Sequence, residues 1–156
     1  MDRPKVISVN ISAGGIPKQS VPRSIVTERG LTGDAHHHDK HNTPLQAISI
    51  IDVEDLDDLR LEGFNVYPGA TGENLTVRGL NVDALHVRDR LCFTGGVELE
   101  LTKVRKPCYV LDAIDPKLKI AIIGRCGFLA KVVRCGVIQP AADIFVQQPA
   151  HTIDQS

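Results

Sequence analysis

The residue with the clearest chemical potential is Cys108. It ends the run Lys103-Val104-Arg105-Lys106-Pro107-Cys108, in which three cations lie within the five residues before the thiol. Nearby positive charge favours thiolate over thiol, and the thiolate is both the nucleophile and the metal ligand. Pro107 removes a backbone donor and fixes φ, which ends a strand and turns the thiol outward. The competing reading is a buried, inert cysteine, the usual fate of a free Cys. Cys126, in Gly124-Arg125-Cys126-Gly127, is the second candidate thiol, while Cys92 and Cys135 read as structural.

Two further segments carry chemistry-bearing side chains. Gly33-Asp34-Ala35-His36-His37-His38-Asp39-Lys40-His41 reads either as a divalent-metal site using His36, His38 and His41, with Asp34 as an added ligand, or as a solvated polar loop. Its spacing fits no zinc pattern, because three adjacent His cannot all point one way on a strand. Gly69-Ala70-Thr71-Gly72-Glu73-Asn74 reads either as a turn presenting backbone N–H groups to an anion or as a plain turn. The sequence contains no Gly-x-Ser-x-Gly elbow and no dinucleotide-binding Gly-x-Gly-x-x-Gly. The acidic run Asp52–Asp58 reads as a solvated helix face.

The elements that must position these residues are mostly strands. Val (16), Ile (14) and Thr (8) outnumber Leu (14) by 38 to 14, a strand-favouring bias. Period-two alternation marks strands over 5–12, 73–78 and 97–104, the last linked to 89–94 through a primed turn at Gly95-Gly96. Further strands are expected at 21–27, 45–51, 128–135 and 143–147. A helix is expected from an Asp52 cap to about Glu62, with Val53, Leu56 and Leu59 inward and Gly63 as its stop. A second is expected from Asp115-Pro116 to about Ile123. Many short strands with two helices suggest a mainly β (β-rich α+β) fold: a closed or nearly closed β-barrel with helical crossovers.

Composition bounds the partners. The 156 residues are expected to form one domain, with a core over about 5–147 and a polar, frayed tail at 148–156. A net charge of −1 gives no reason to expect nucleic-acid binding. No apolar run is long enough to span a bilayer, and no secretory signal or disulfide framework is visible, so a reduced cytoplasmic setting is expected.

Taken in order, the motifs resemble the MOSC domain family, the module named for the C-terminal part of molybdenum cofactor sulfurase. The pieces are Gly30-Leu31-Thr32-Gly33-Asp34-Ala35-His36, Gly72-Glu73-Asn74-Leu75-Thr76-Val77, Asp89-Arg90-Leu91, Arg105-Lys106-Pro107-Cys108 and a closing segment from Lys131 to Val146. Two stretches depart from the family pattern: His37 to Pro44 after the His motif, and Ala142-Asp143 where Gly-Asp is usual.

The resemblance implies a MOSC-type β-barrel and a role in the sulfur or molybdenum chemistry of the pterin cofactor, with a sulfurtransferase-type activity as one form of it. It implies that Cys108 carries sulfur as a persulfide or ligates molybdenum. Arg105 and Lys106 would hold the persulfide anion or a pterin phosphate, and Asp34, His36, Glu73 and Asn74 would line the same cleft. It implies a stand-alone member that binds molybdenum cofactor (molybdopterin) but not pyridoxal phosphate, and that works with a cysteine desulfurase or a molybdoenzyme.

Overall fold

The computed structural model describes residues 3–35 and 44–149. Eleven strands form among the described residues: the eight expected segments, with 21–27 broken at Pro22-Arg23, and two short unexpected ones at 30–31 and 136–138. They are β1 (Lys5–Ile11), β2 (Gln19–Val21), β3 (Ser24–Thr27), β4 (Gly30–Leu31), β5 (Ile48–Asp52), β6 (Leu75–Arg78), β7 (Arg90–Phe93), β8 (Glu98–Val104), β9 (Phe128–Arg134), β10 (Gly136–Ile138) and β11 (Ile144–Gln147). Eight pair in the order β11-β7-β8-β9-β5-β6-β1-β2, and β10-β3-β4 form a small second sheet. Nearly all contacts are antiparallel. The exception is β5–β6, which are parallel and therefore need the crossover that α1 (Val53–Leu61) supplies.

The barrel expectation is corrected. The eight-stranded sheet is open, with β11 and β2 at its edges. The outer edge of β1 is taken over Val9–Ile11 by β2. Only its first residues are left to face the turn before β11, where a single isolated bridge joins Lys5 to Asp143. One bridge is not the continuous staggered ladder that closes a barrel.

Two apolar cores flank the sheet. The larger gathers the inward residues of β1, β5 to β9 and β11, among them Val9, Ile48, Leu75, Leu99 and Ile144. The smaller lies on the other side of β5. There Ile51 packs with Leu56 and Leu59 of α1 and with Leu111, Leu118, Ile122 and Cys126 from the segment between β8 and β9.

Local expectations were met unevenly. Val53, Leu56 and Leu59 are the buried face of α1. Asp52 occupies the N-cap position, but its Oδ2 accepts from the Val82 N–H at 2.8 Å instead of capping its own helix. The second helix shrinks to α2 (Leu118–Ala121): the Asp115 Oδ1 accepts from the Lys117 N–H at 2.8 Å as a cap does, but the Leu118 N–H closes on the Asp115 carbonyl at 3.0 Å, a tighter turn in place of the first α-helical one. The β7–β8 link is a three-residue turn over 94–96, closed by the Phe93 N–H on the Val97 carbonyl at 2.9 Å.

Candidate functional site

Glu73 and Asn74 sit where the Gly69–Gly72 turn enters β6, and both are buried. Gly69 must be glycine: its φ is +91°, and a Cβ there would lie 2.3 Å from the Lys18 carbonyl oxygen. The turn does meet an anion, but the anion is the protein's own. The Gly69 N–H donates to Glu73 Oε2 at 2.8 Å, and the Thr71 hydroxyl donates to Oε1 at 2.7 Å. The Thr76 hydroxyl donates to Oε2 at 2.7 Å and itself accepts from Asn10 Nδ2 at 3.1 Å. Glu73 is thus a satisfied internal carboxylate that ties the turn to β6.

Asn74 joins this knot to Asp34. Its Nδ2 donates to Asp34 Oδ2 at 2.8 Å, and its Oδ1 accepts from the Ser49 N–H of β5 at 3.0 Å. Asp34 also accepts from the Ser12 N–H at 3.0 Å and from Lys18 Nζ at 2.7 and 2.9 Å. Burial pushes the Lys18 ammonium below its ordinary pKa, and the Asp34 charge opposes that shift. The Arg105 charge adds to the lowering and the Glu73 charge to the raising, so all four groups share one field.

Arg105 is the hinge between knot and thiol. Its guanidinium donates to the Thr71 hydroxyl at 3.1 Å, to the Thr71 carbonyl, and to the Cys126 carbonyl at 3.5 Å. Its own N–H donates to the Gly127 carbonyl at 3.0 Å. Arg105 therefore clamps both ends of the segment from the end of β8 to the start of β9. That segment carries Lys106 and Cys108, both exposed, and returns through buried Cys126. Burial pushes the Cys126 thiol up; Arg105 opposes, while Cys108, Glu73 and Asp83 reinforce the rise. These groups are electrostatic neighbours.

The sequence-predicted residues divide accordingly. Asp34, Glu73, Asn74 and Arg105 come together in one hydrogen-bonded system, and Cys108 and Lys106 stand exposed just beyond it. His36, His38 and His41 lie outside the described residues, and so does the possible His metal site. Sequence reasoning missed Lys18, Thr71 and Asn10. Thr71 lay inside a quoted motif, but nothing near Lys18 or Asn10 in sequence announces their partners. The acidic run was also misread: Asp52 is buried and Asp55 half-buried, and only Glu54, Asp57 and Asp58 are solvated.

An open β sheet carrying an Arg105-clamped excursion with an exposed thiol, Cys108, defines the class to which this fold and site belong. The MOSC domain model matches residues 37–144, more than half of the chain, and the chain belongs to the MOSC domain family. That family is associated with molybdenum cofactor sulfurase-like proteins. The match includes Glu73, Asn74, Arg105, Lys106 and Cys108 but begins after Asp34 and His36.

Among solved structures, YUAD protein from Bacillus subtilis has a TM-score of 0.78 at 20% identity, covering 96% of this chain and 98% of that one. YiiM from Geobacillus stearothermophilus has a TM-score of 0.77 at 24% identity, covering 93% and 75%. YiiM from Escherichia coli has a TM-score of 0.69 at 19% identity, covering 95% and 72%. These likenesses establish the fold. No curated protein matches the sequence. Among the described residues, no helix is long and apolar enough to cross a membrane.

Proposed function

We propose that this protein is a sulfur carrier of molybdenum cofactor metabolism, with Cys108 as the carrying thiol. The observation that supports it most is exposure of Cys108 on a segment whose base is fixed by Arg105. A carrier thiol must be reachable by two partners in turn, and a buried one is not. In the loading step, the Cys108 thiolate attacks the terminal sulfur of a cysteine desulfurase persulfide. The donor S–S bond breaks, the donor thiolate leaves and takes up a proton, and Cys108–S–S⁻ remains. Delivery as sulfide is a two-electron reduction. An acceptor-side thiolate attacks Cys108 Sγ, HS⁻ leaves, and a mixed disulfide with Cys108 forms. Lys106 and Arg105 supply positive charge for the persulfide anion.

The donor set also fits an anionic pterin cofactor: exposed Lys103 and Lys106 suit a phosphate, and a thiolate is a soft ligand for molybdenum. That cofactor would supply the metal to which sulfur is delivered, and Cys108 would be its ligand in the second reading, a binding module without chemistry of its own. Asp34, Glu73 and Asn74 enter as positioning groups, because Asp34 is engaged with Asn74 and Lys18 and Glu73 with Gly69, Thr71 and Thr76.

Intact mass before and after incubation with a cysteine desulfurase and cysteine tests the proposal. Wild type should gain one sulfur atom, and Cys108→Ala should not. No gain in wild type overturns the carrier reading; a cofactor that copurifies without sulfane sulfur then supports the binding module. A gain that survives in Cys108→Ala moves the site to another thiol, Cys126 first.

A further inference from the structure

A second group of acids lies behind the thiol segment and plays no part in the proposed chemistry. Asp52 ends β5, Asp55 lies one turn on in α1, and Asp83 stands in the short 3-10 turn Val82–Ala84 that follows β6. Each contributes a carboxylate oxygen, and these oxygens converge to within 4.8 Å of one another. The i, i+3 spacing of Asp52 and Asp55 puts both on one side of the helix start.

The independent observation is that one oxygen of Asp52 and one of Asp55 have no hydrogen-bond partner. Asp52 is 3% exposed, and its Oδ1 is sealed from water with no hydrogen-bond partner. Asp55 Oδ2 is in the same condition. Buried polar atoms in folded proteins are almost always paired, and leaving one unpaired is costly, the more so if it is charged. The field is one-sided as well. Asp83 and Glu54 add negative charge at Asp52, and the Arg125 that faces Asp55 is already held by Glu62 at 2.6 and 3.0 Å. The orphaned oxygens call for a cation that the described residues do not provide.

We propose that Asp52, Asp55 and Asp83 bind one hard divalent cation of the Ca²⁺, Mg²⁺ or Mn²⁺ type. Carboxylate-only donors select such ions over zinc or copper. Oxygen bonds of about 2.0–2.6 Å to one ion bridge the observed convergence. Asp52 Oδ2 stays with the Val82 N–H, and Oδ1 is the oxygen left for the metal. Asp83 holds the Gly127 N–H on Oδ1 at 3.2 Å, so the ion would brace the base of the thiol segment one residue from Cys126. Burial and the neighbouring acids push the Asp52 carboxyl up to about 7, and burial, the hydrogen bond that Asp55 shares with Asp83 and the neighbouring acids push the Asp55 carboxyl up to about 8, as expected of a site short of positive charge.

The test uses the full chain stripped with chelator, titrated with Mn²⁺ at pH 8 and followed by the loss of free-Mn²⁺ EPR signal, with Ca²⁺ and Mg²⁺ as competitors. One Mn²⁺ per chain is expected, weakened at least tenfold in Asp55→Asn and in Asp83→Asn, with a metal-dependent rise in melting temperature in wild type alone. Melting of both metal-free variants shows that they are folded; Asn keeps an Oδ1 to receive the Gly127 N–H. Absence of bound Mn²⁺ in wild type at millimolar concentration overturns the proposal. So does binding that persists in both variants and disappears in His36→Ala/His38→Ala/His41→Ala, which would assign the metal to the histidine tract.

Discussion

Glu73 and Asp52 are both acids almost without exposure, 0% and 3%, and both stand beside β6 or its parallel partner β5. Their surroundings differ completely. Three donors converge on Glu73, and both its oxygens are used. Asp52 has a backbone donor on one oxygen, nothing on the other, and two more carboxylates close by. The first arrangement is closed and holds a turn in shape. The second is open, and its stability depends on what fills it. Burial alone therefore does not separate a structural acid from a ligand-binding one; the accounting of each oxygen does.

The largest effect should come from the peptide between the two regions. Gly127 has φ +85°, and a Cβ there would lie 1.8 Å from the Ile50 carbonyl oxygen. Its N–H goes to Asp83 and its carbonyl to Arg105. Gly127→Ala should lose about 4 kcal/mol or more, or fail to fold, as read by urea denaturation. Next, Glu73→Ala should cost about 3 kcal/mol by leaving buried donors on Gly69, Thr71 and Thr76 unpaired.

Asp34→Ala should cost a similar amount, about 3 kcal/mol, because it strands a Lys18 side chain only 12% exposed. Adding Lys18→Met should recover much of that loss, and a double-mutant cycle in urea that shows strict additivity would remove the pairing argument. Asp55→Asn should act in the opposite direction in chelated protein. Folded-state values of about 7 and 8 lie above the ordinary carboxyl value near 3.8, so the native state holds protons that the unfolded chain has released. These acids thus lower stability progressively as pH rises from about 4 to about 8. Asp55→Asn should flatten that slope, and its denaturation midpoint should exceed that of wild type at pH 9. A lower midpoint would mean that Asp55 stabilises the fold without metal. The smallest effect belongs to Cys108→Ser, within about 0.5 kcal/mol of wild type, because the residue is exposed and carries no packing.

The sequence was most informative where a residue's role is local. Alternation at Val97, Leu99 and Leu101 located β8, and the inward face of α1 followed from Val53, Leu56 and Leu59. Exposure of Cys108 followed from a proline after a strand. Asp34 and Asn74 were brought together only through the family resemblance, because no local pattern links positions 40 residues apart. Lys18 was invisible for the same reason. The open sheet was missed because closure depends on which strand takes the edge of β1. That strand, Gln19-Ser20-Val21, is too short to alternate. The Asp52–Asp58 run was legible as a helix but mis-sorted, since charge suggests solvent and only packing against the 3-10 turn at Asp83 reveals which acids turn inward.

The excursion between β8 and β9 has one more consequence. The two strands are direct neighbours, paired from Glu98 with Arg134 to Val104 with Phe128, so their ladder is complete without residues 105–127. That intervening stretch contains both Cys108 and Cys126, and the scaffold asks of it only a clamp at its base and a few apolar side chains to cover α1. Thiol and frame are therefore separable parts of the fold: insertions or deletions between the clamp at Arg105 and the return at Gly127 leave every β8–β9 ladder bond in place.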